Sequence, residues 1–157
     1  MVEAKPTVLK ASNVAPRTAT VYPVPYAAAV SGREKRALGD IFELSQFGVN
    51  LTTLQPGAWS SHRHWHDNED EFIYVVDGVI VLIDDTGEHH LTPGMCAGFK
   101  AGVRNGHHLI NKTEAPVTYL EIGTRAPIER AYYPEADMFF EKDGAKTTVT
   151  RRNGSLF

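Results

Sequence analysis

Five of the seven histidines lie in two short groups, and their spacing suits them to chemistry. The first group is His62, His64 and His66, and the second is His107 and His108. Successive side chains of an extended chain point to opposite faces, so the three alternating histidines are expected to share one face. If that face is the interior of a β-barrel, two or three imidazoles converge there. A metal ion requires such convergence, because its ligands must surround it at about 2 Å.

A carboxylate and a later histidine could complete this site. In the segment that starts at Glu71, the side chains of Glu71, Ile73 and Val75 share one face. His107 shares a face with Leu109 on a later segment. Three imidazoles and one carboxylate would leave room for water or substrate on an octahedral ion. One carboxylate against a divalent ion also leaves a net positive site, which favours an anionic ligand.

Short β-type runs separated by turns position these residues, over roughly residues 47–124. Their spacing of about 8–12 residues predicts an all-β sandwich or barrel. Sustained helical periodicity is absent there, which argues against an α/β parallel sheet. The runs are FGVNLTTL, EFIYVVDG, VIVLID, HHLTPG, MCAGF, HHLIN and VTYLEIG.

The residues before and after this series of β-type runs have a different sequence pattern. Residues 26–39 could hold one short helix or an irregular arm, and MFFEKDGAKTTVTR is typical of a hairpin about Asp143-Gly144. We therefore expect one domain with an N-terminal arm (1–44) packed on the barrel, a barrel (45–124) and a C-terminal arm with a β-hairpin (125–157). Such extra strands can cross to a partner subunit, which favours a homodimer.

Composition restricts the class of protein. A length of 157 residues with 42% hydrophobic and 22% charged residues is ordinary for one globular domain. The net charge of -3 gives no support to a nucleic-acid or anionic-membrane partner. The one cysteine, Cys96, excludes an intrachain disulfide. Because neither a signal peptide nor an apolar run of about 20 residues is found, we expect a cytoplasmic location.

The order of these residues resembles the two motifs of the cupin superfamily. The spacing after the first histidine of motif one matches fully, and its members are Gly57, His64, His66, Glu71 and Gly78. The members of the second motif are Gly94, Gly102, His107 and Asn111. Two departures occur in the second motif: Lys100 replaces a proline, and the gap from Gly102 to His107 is longer than in the pattern.

The resemblance covers roughly residues 45–124 and implies a double-stranded β-helix, that is, a jelly-roll barrel. It also implies one divalent metal ion per chain, held by His64, His66, Glu71 and His107. The longer gap leaves His108 as a rival to His107. The ion could be Fe, Zn, Ni or Mn, because a His/Glu site accepts several first-row ions.

Four further side chains are candidates for lining the pocket: His62, His108, Cys96 and Arg104. For His62 we favour a place at the barrel mouth over a role as ligand. For Cys96 the alternative is a small core hydrophobe, since free cysteine is among the most buried residue types. For Arg104 the alternatives are anion binding and a solvated loop side chain.

The leading functional hypothesis is a metal-dependent enzyme that acts on a small polar or anionic substrate. The reaction stays open among dioxygenase, isomerase and lyase, because so widely shared a fold does not assign a reaction. The alternative is a non-catalytic cupin that binds a sugar or an organic acid. No separate general base stands out; His62 and a displaced Glu71 are the candidates.

Overall fold

The computed structural model describes residues 7–157, and within them the chain forms twelve β-strands and two short α-helices. The helices are α1 (Val24–Ala27) and α2 (Leu38–Ile41), and 3-10 turns occupy Ala11–Asn13 and Ala28–Val30. The strands are β1 (Arg33–Ala37), β2 (Phe47–Leu54), β3 (Trp65–His66), β4 (Glu71–Asp77), β5 (Ile80–Asp84), β6 (Gly87–Leu91), β7 (Cys96–Phe99), β8 (His108–Ile110), β9 (Val117–Thr124), β10 (Ile128–Tyr132), β11 (Phe139–Asp143) and β12 (Lys146–Thr150). Neither helix has the length and apolar character needed to cross a membrane.

The strands form three antiparallel sheets. One sheet has the order β1-β2-β9-β4-β7, the second β12-β11-β10-β3, and the third β6-β5-β8. Neighbours in this order are mostly distant in sequence, as in a jelly roll, where strands from both halves of the chain interleave. The predicted all-β jelly-roll fold is confirmed.

The main core lies between the five-stranded and three-stranded sheets. On β4, Ile73 and Val75 are buried while Phe72 and Tyr74 are exposed, so the predicted alternation of faces is confirmed. The core residues that pack together are Leu54, Ala58, Ile73, Val75, Ile80, Leu82, Leu91, Leu109, Val117 and Tyr119.

Strand β1 differs from the sequence-based expectation of a helix or an irregular arm in residues 26–39. Its five residues, REKRA, pair with β2 from Arg33↔Leu54 to Ala37↔Asn50. Four charged residues in a row hide the alternation that identifies a strand. An edge strand tolerates them because it is only partly buried and long side chains can cover apolar surface with their stems. The N-terminal arm therefore contributes a strand to the largest sheet.

The C-terminal residues form the second sheet. Strands β11 and β12 pair from Phe139↔Thr150 to Asp143↔Lys146, which is the hairpin expected about Asp143-Gly144. Strand β10 joins this hairpin to β3, where Ala131 lies opposite His66. The C-terminal segment thus holds the strand that carries one of the candidate ligands.

Two glycines in turns allow a test of tight packing beside the barrel. Gly78, between β4 and β5, has φ +81, and a Cβ there would lie 3.0 Å from Val117 Cγ2. Gly57 has φ +79, but a Cβ there would meet nothing within 4 Å. Alanine at either position incurs the cost of left-handed backbone, about 1 kcal/mol. Gly78→Ala adds a clash with the neighbouring strand.

We therefore expect Gly57→Ala to lower the free energy of unfolding by about 1 kcal/mol and Gly78→Ala by at least about 2 kcal/mol. Urea denaturation of the two variants measures both values, and Gly57→Ala is the matched control for backbone strain. Equal losses would contradict the packing argument.

Candidate metal centre

Three histidines and one glutamate meet at one end of the barrel interior. The Nε2 atoms of His64 and His66 lie 3.0 Å apart. Glu71 Oε2 lies 3.7 Å from His64 Nε2 and 3.5 Å from His66 Nε2. The same carboxylate oxygen lies 2.8 Å from Nε2 of His107. All four side chains line one cavity of 230 Å³.

Backbone pairing brings the two histidine segments together. The N–H of His107 donates to the carbonyl of His64 at 2.9 Å, and the N–H of His64 donates to the carbonyl of His107 at 3.2 Å. The side chain of Arg63 donates from Nε to the carbonyl of Gly106 at 2.8 Å. Residues 43 positions apart in sequence are therefore fixed side by side.

Carbonyl partners determine the tautomers of two of these rings. His64 Nδ1 lies 2.9 Å from the carbonyl oxygen of His62, and His107 Nδ1 lies 3.1 Å from that of Asn105. A carbonyl can only accept, so each Nδ1 carries the proton and donates it. In the neutral ring of His64 this leaves the Nε2 lone pair directed at the cluster, which is the form that binds metal. Nε2 of His107 donates to Glu71 at 2.8 Å, and a bound metal ion would take the place of that proton.

The third ring, that of His66, lies against a carboxylate that the sequence analysis missed. Glu129 is fully buried, and its Oε1 lies 3.4 Å from His66 Nδ1. Backbone N–H groups of Asp67, Asn68 and Arg130 each donate to the Glu129 carboxylate at 2.9 Å. This carboxylate therefore anchors the loop after β3. The one sequence signal is that Glu129 alternates with Ala131 on a strand, so both face inward.

Burial controls the charge of the cluster. It lowers the pKa of His64 from 6.5 to about 3, so this ring is neutral at neutral pH. Burial also opposes ionisation of Glu71, but the hydrogen bond from His107 and the neighbouring imidazoles hold the pKa of its carboxyl below its usual range. The cluster thus offers one anionic oxygen beside imidazole lone pairs.

This donor set fits a divalent first-row ion. Ligands bound at about 2.1 Å lie about 3.0 Å apart on an octahedron and about 3.4 Å apart on a tetrahedron. The donor contacts here range from 2.8 to 3.7 Å. Donor atoms of His64, His66 and Glu71 all lie within 4.8 Å of one another. His107 is not one of these three; its donor contact with the cluster is with Glu71 at 2.8 Å.

The ring of His108, the other member of the second histidine group, contacts Ser61 and Trp59 and not Glu71. It is buried and lines the same cavity, but its Nδ1 lies 3.0 Å from the carbonyl of Ser61. Its ring packs edge-on against Trp59 at 4.7 Å between centroids. The structure therefore places His107, and not His108, against Glu71.

The expectation that His62 shares a face with the other two histidines is wrong. His62 Nε2 lies 2.8 Å from the carbonyl oxygen of Tyr26, and its ring lies against Trp59, outside the lining of the cavity. The cause is local backbone shape: His64, Trp65 and His66 take part in β-pairing, but residues 60–63 form bends. Alternation fails where the chain is not a strand.

Two more candidates for the pocket also lie outside the cavity lining. Cys96 is exposed on β7, where Ala97 and Phe99 are the residues that pack against the core. Arg104 is exposed, and its guanidinium lies 5.5 Å from the centroid of the Trp65 ring. Cys96 therefore has neither the buried place expected of a core residue nor a place in the pocket.

Strand β1 supplies two cations to the cavity that the sequence analysis missed. Arg33 and Lys35 lie opposite the buried residues Leu54 and Thr52, so they face inward, and both line the cavity. Lys35 Nζ lies 2.6 Å from Oε1 of Glu121. Arg33 donates to the carbonyl of Ser60 at 2.5 Å, and within residues 7–157 it has no carboxylate partner. A partly buried cation without a counter-ion favours an anionic ligand.

A family model and a solved structure that match this chain belong to the same family. No curated protein sequence matches this chain. The family model described as Cupin domain matches residues 50–123. The chain is 48% identical to a sugar phosphate isomerase from a cupin superfamily, from Silicibacter pomeroyi; the match covers 96% of each chain with a TM-score of 0.91.

Two further solved structures share the fold at lower identity. A proposed sugar phosphate isomerase from Acidithiobacillus ferrooxidans is 24% identical over 81% of this chain and 82% of its own, with a TM-score of 0.73. The polyketide cyclase RemF from Streptomyces resistomycificus is 16% identical over 75% of this chain and 78% of its own, with a TM-score of 0.63. At these identities the likeness extends to the fold alone.

The low pKa of His64 predicts a dependence of stability on pH. Between pH 6.5 and about 3 the unfolded chain binds a proton at this position that the folded chain does not. The free energy of unfolding therefore falls as the pH falls through this range, by up to about 1.4 kcal/mol per pH unit from this group. We expect His64→Asn to have a shallower pH slope than the wild type, by about this amount.

Urea denaturation at several pH values, in protein dialysed against a chelator, measures these slopes. His90→Asn, at an exposed histidine on β6, is the matched control and should keep the wild-type slope. A wild-type slope in His64→Asn would contradict the assignment of a neutral, buried His64.

Proposed function

This chain belongs to the cupin superfamily, and from that premise we propose that it is a metal-dependent isomerase of a sugar phosphate. The observation that carries the proposal is the convergence of three imidazoles and one carboxylate on one cavity. The class of reaction is taken from the Silicibacter pomeroyi protein, which is 48% identical over 96% of its length.

We assign His64, His66, Glu71 and His107 as the ligands of one divalent ion. The carbonyls bonded to His64 Nδ1 and His107 Nδ1 hold these rings in the metal-binding tautomer. The carboxylate of Glu129 lies 3.4 Å from Nδ1 of the third ring, that of His66. Bound there, the ion would polarise substrate oxygens as a Lewis acid.

Strand β1 supports the assignment of an anionic substrate. Arg33 projects into the cavity with one guanidinium nitrogen bonded to Ser60, which leaves its other donors for a ligand. Arginine presents a planar fork of donors that matches a phosphate group. Lys35 is already neutralised by Glu121, so we assign Arg33 as the main contact of the phosphate.

The size of the cavity supports a small substrate. The cavity at the cluster has a volume of 230 Å³, and a second one of 240 Å³ adjoins it and shares Arg33, Lys35, His64 and His66 with it. A substrate that spans the two would contact the cluster with its carbonyl end and Arg33 with its phosphate. A homodimer stays a prediction.

The metal assignment predicts a specific loss of bound ion. We expect purified wild-type protein to carry about one divalent ion per chain and the His64→Ala/His66→Ala variant to carry almost none. Metal mass spectrometry measures both, and it also identifies the ion. His89→Ala/His90→Ala removes two exposed histidines from β6 and is the matched control, which should keep its metal.

Isomerisation is then followed by NMR with a panel of aldose and ketose phosphates. We expect turnover by the wild type and the control, and none by the metal-free variant. Full metal content in His64→Ala/His66→Ala would contradict the site. An absence of turnover by metal-loaded wild-type protein would contradict the reaction.

The phosphate assignment predicts a change in KM. Loss of a charged hydrogen bond costs about 1.5–3 kcal/mol, so Arg33→Gln should raise KM for the sugar phosphate roughly 10–100-fold. Inorganic phosphate should weaken as a competitive inhibitor by a similar factor. Arg36→Gln is the matched control, because Arg36 lies on the other face of the same strand, near Glu34. An unchanged KM in Arg33→Gln would contradict the assignment.

A further inference from the structure

A second carboxylate lies in the cavity close to the metal cluster. Glu121 is on β9, where it pairs with Ile73, while Glu71 pairs with Gly123. Glu121 and Glu71 are thus diagonal neighbours on one face of the sheet, with backbones about 7–8 Å apart. No side chain of residue 123 fills the space opposite Glu71. A small substrate held at the cluster can therefore reach Glu121.

The two oxygens of Glu121 have different surroundings. Oε1 accepts hydrogen bonds from Lys35 Nζ at 2.6 Å and from Asn50 Nδ2 at 3.0 Å. Oε2 has one long contact, with the hydroxyl of Tyr119 at 3.5 Å. The carboxylate is therefore fixed in orientation through Oε1, while Oε2 remains available to a proton on the substrate.

Glu121 is also the carboxylate in the cavity that is not engaged with histidine. Among the described residues that line this cavity, Glu71 and Glu121 are the carboxylates. Glu71 contacts His107 at 2.8 Å and belongs to the cluster. An isomerase needs a base within hydrogen-bond reach of the carbon-bound proton that it removes. Neither Arg33 nor Lys35 can serve while protonated.

We infer that Glu121 is the catalytic base that moves a proton between two adjacent carbons of the sugar phosphate, with Lys35 as its positioning residue. This inference rests on the isomerase function proposed above. Glu121 Oε2 takes the proton from the carbon next to the carbonyl, and the electron pair of the broken C–H bond forms the C=C bond of an enediolate. Glu121 then returns the proton to the former carbonyl carbon, while the proton of the neighbouring hydroxyl moves to the old carbonyl oxygen. No oxidant or reductant is needed.

His108 is the competing base in this cavity. Burial lowers its pKa, so the ring is neutral, and donation from Nδ1 to Ser61 leaves a lone pair on Nε2. Its ring, however, packs against Trp59, and His108 belongs to β8 of the three-stranded sheet. Glu121 is on the strand beside Glu71, which is why we assign the base to Glu121.

The test compares Glu121→Gln, Glu121→Ala and the matched control Glu88→Gln with the wild type. The amide oxygen of Gln can still accept from Lys35 and Asn50, so the fold and the cavity are kept. Glu88, on β6, is an exposed carboxylate that also pairs with a lysine, Lys112, at 2.5 Å. We expect kcat of Glu121→Gln to fall about 10²–10⁴-fold, the range of general base catalysis. Metal content should stay at the wild-type value, and neither KM nor inhibition by inorganic phosphate should weaken, because Lys35 loses its counter-ion; Glu88→Gln should behave as wild type.

Two readouts separate a base from a structural residue. Formate, a small carboxylate, should restore part of the turnover of Glu121→Ala in a concentration-dependent manner. In D₂O the wild type should place deuterium on the product carbon to the extent that the proton held by Glu121 exchanges with solvent, and Glu121→Gln should lose this exchange.

Several outcomes would overturn the inference: a kcat of Glu121→Gln within about tenfold of wild type, a loss of metal or phosphate binding in that variant, or no rescue by formate. Loss of turnover in His108→Gln together with full activity in Glu121→Gln would move the base to His108. If metal-loaded wild-type protein isomerises no sugar phosphate, both the function and this inference are overturned.

Discussion

The contact between Glu71 and three buried or partly buried imidazoles is the constraint on which the rest of the site depends. An ionised carboxylate is costly to bury unless a compensating charge or hydrogen bonds accompany it. Here His107 donates a hydrogen bond to Glu71. Burial, which disfavours the charged form of Glu71, also keeps His64 neutral. The result is a compact group of ring nitrogens around one negative charge, which a divalent cation complements.

The groups behind the cluster decide whether it can keep this shape. Backbone carbonyls fix the rings of His64 and His107, and the buried carboxylate of Glu129 lies behind His66. Glu129 belongs to β10, so the C-terminal sheet is part of the site and more than an addition to the barrel. The cluster therefore depends on three separate parts of the chain that the fold brings together.

Charge is distributed asymmetrically across the cavity. The cluster and Glu71 lie at one side, while β1 brings Arg33 and Lys35 to the other. This separation suits a substrate with a carbonyl group at one end and a phosphate at the other. Glu121 lies between the two sides, because β9 runs between β2 and β4 in the sheet. In the proposed function, binding, polarisation and proton transfer are then performed by different strands.

The sequence alone determined β2 and the strands from β4 to β9, the inward face of β4 and the grouping of His64, His66 and Glu71, because these depend on local alternation and short spacing. Tertiary structure alone decided four other matters: the turn of His62 away from the cavity, the pairing of His107 with His64, the burial of Glu129, and the inward placement of Arg33, Lys35 and Glu121. The turn of His62 follows from the bends in residues 60–63, and the other three follow from the register of strands that are far apart in sequence. Local patterns do not carry that register, since it is set by which backbone groups pair once the sheets close into a barrel.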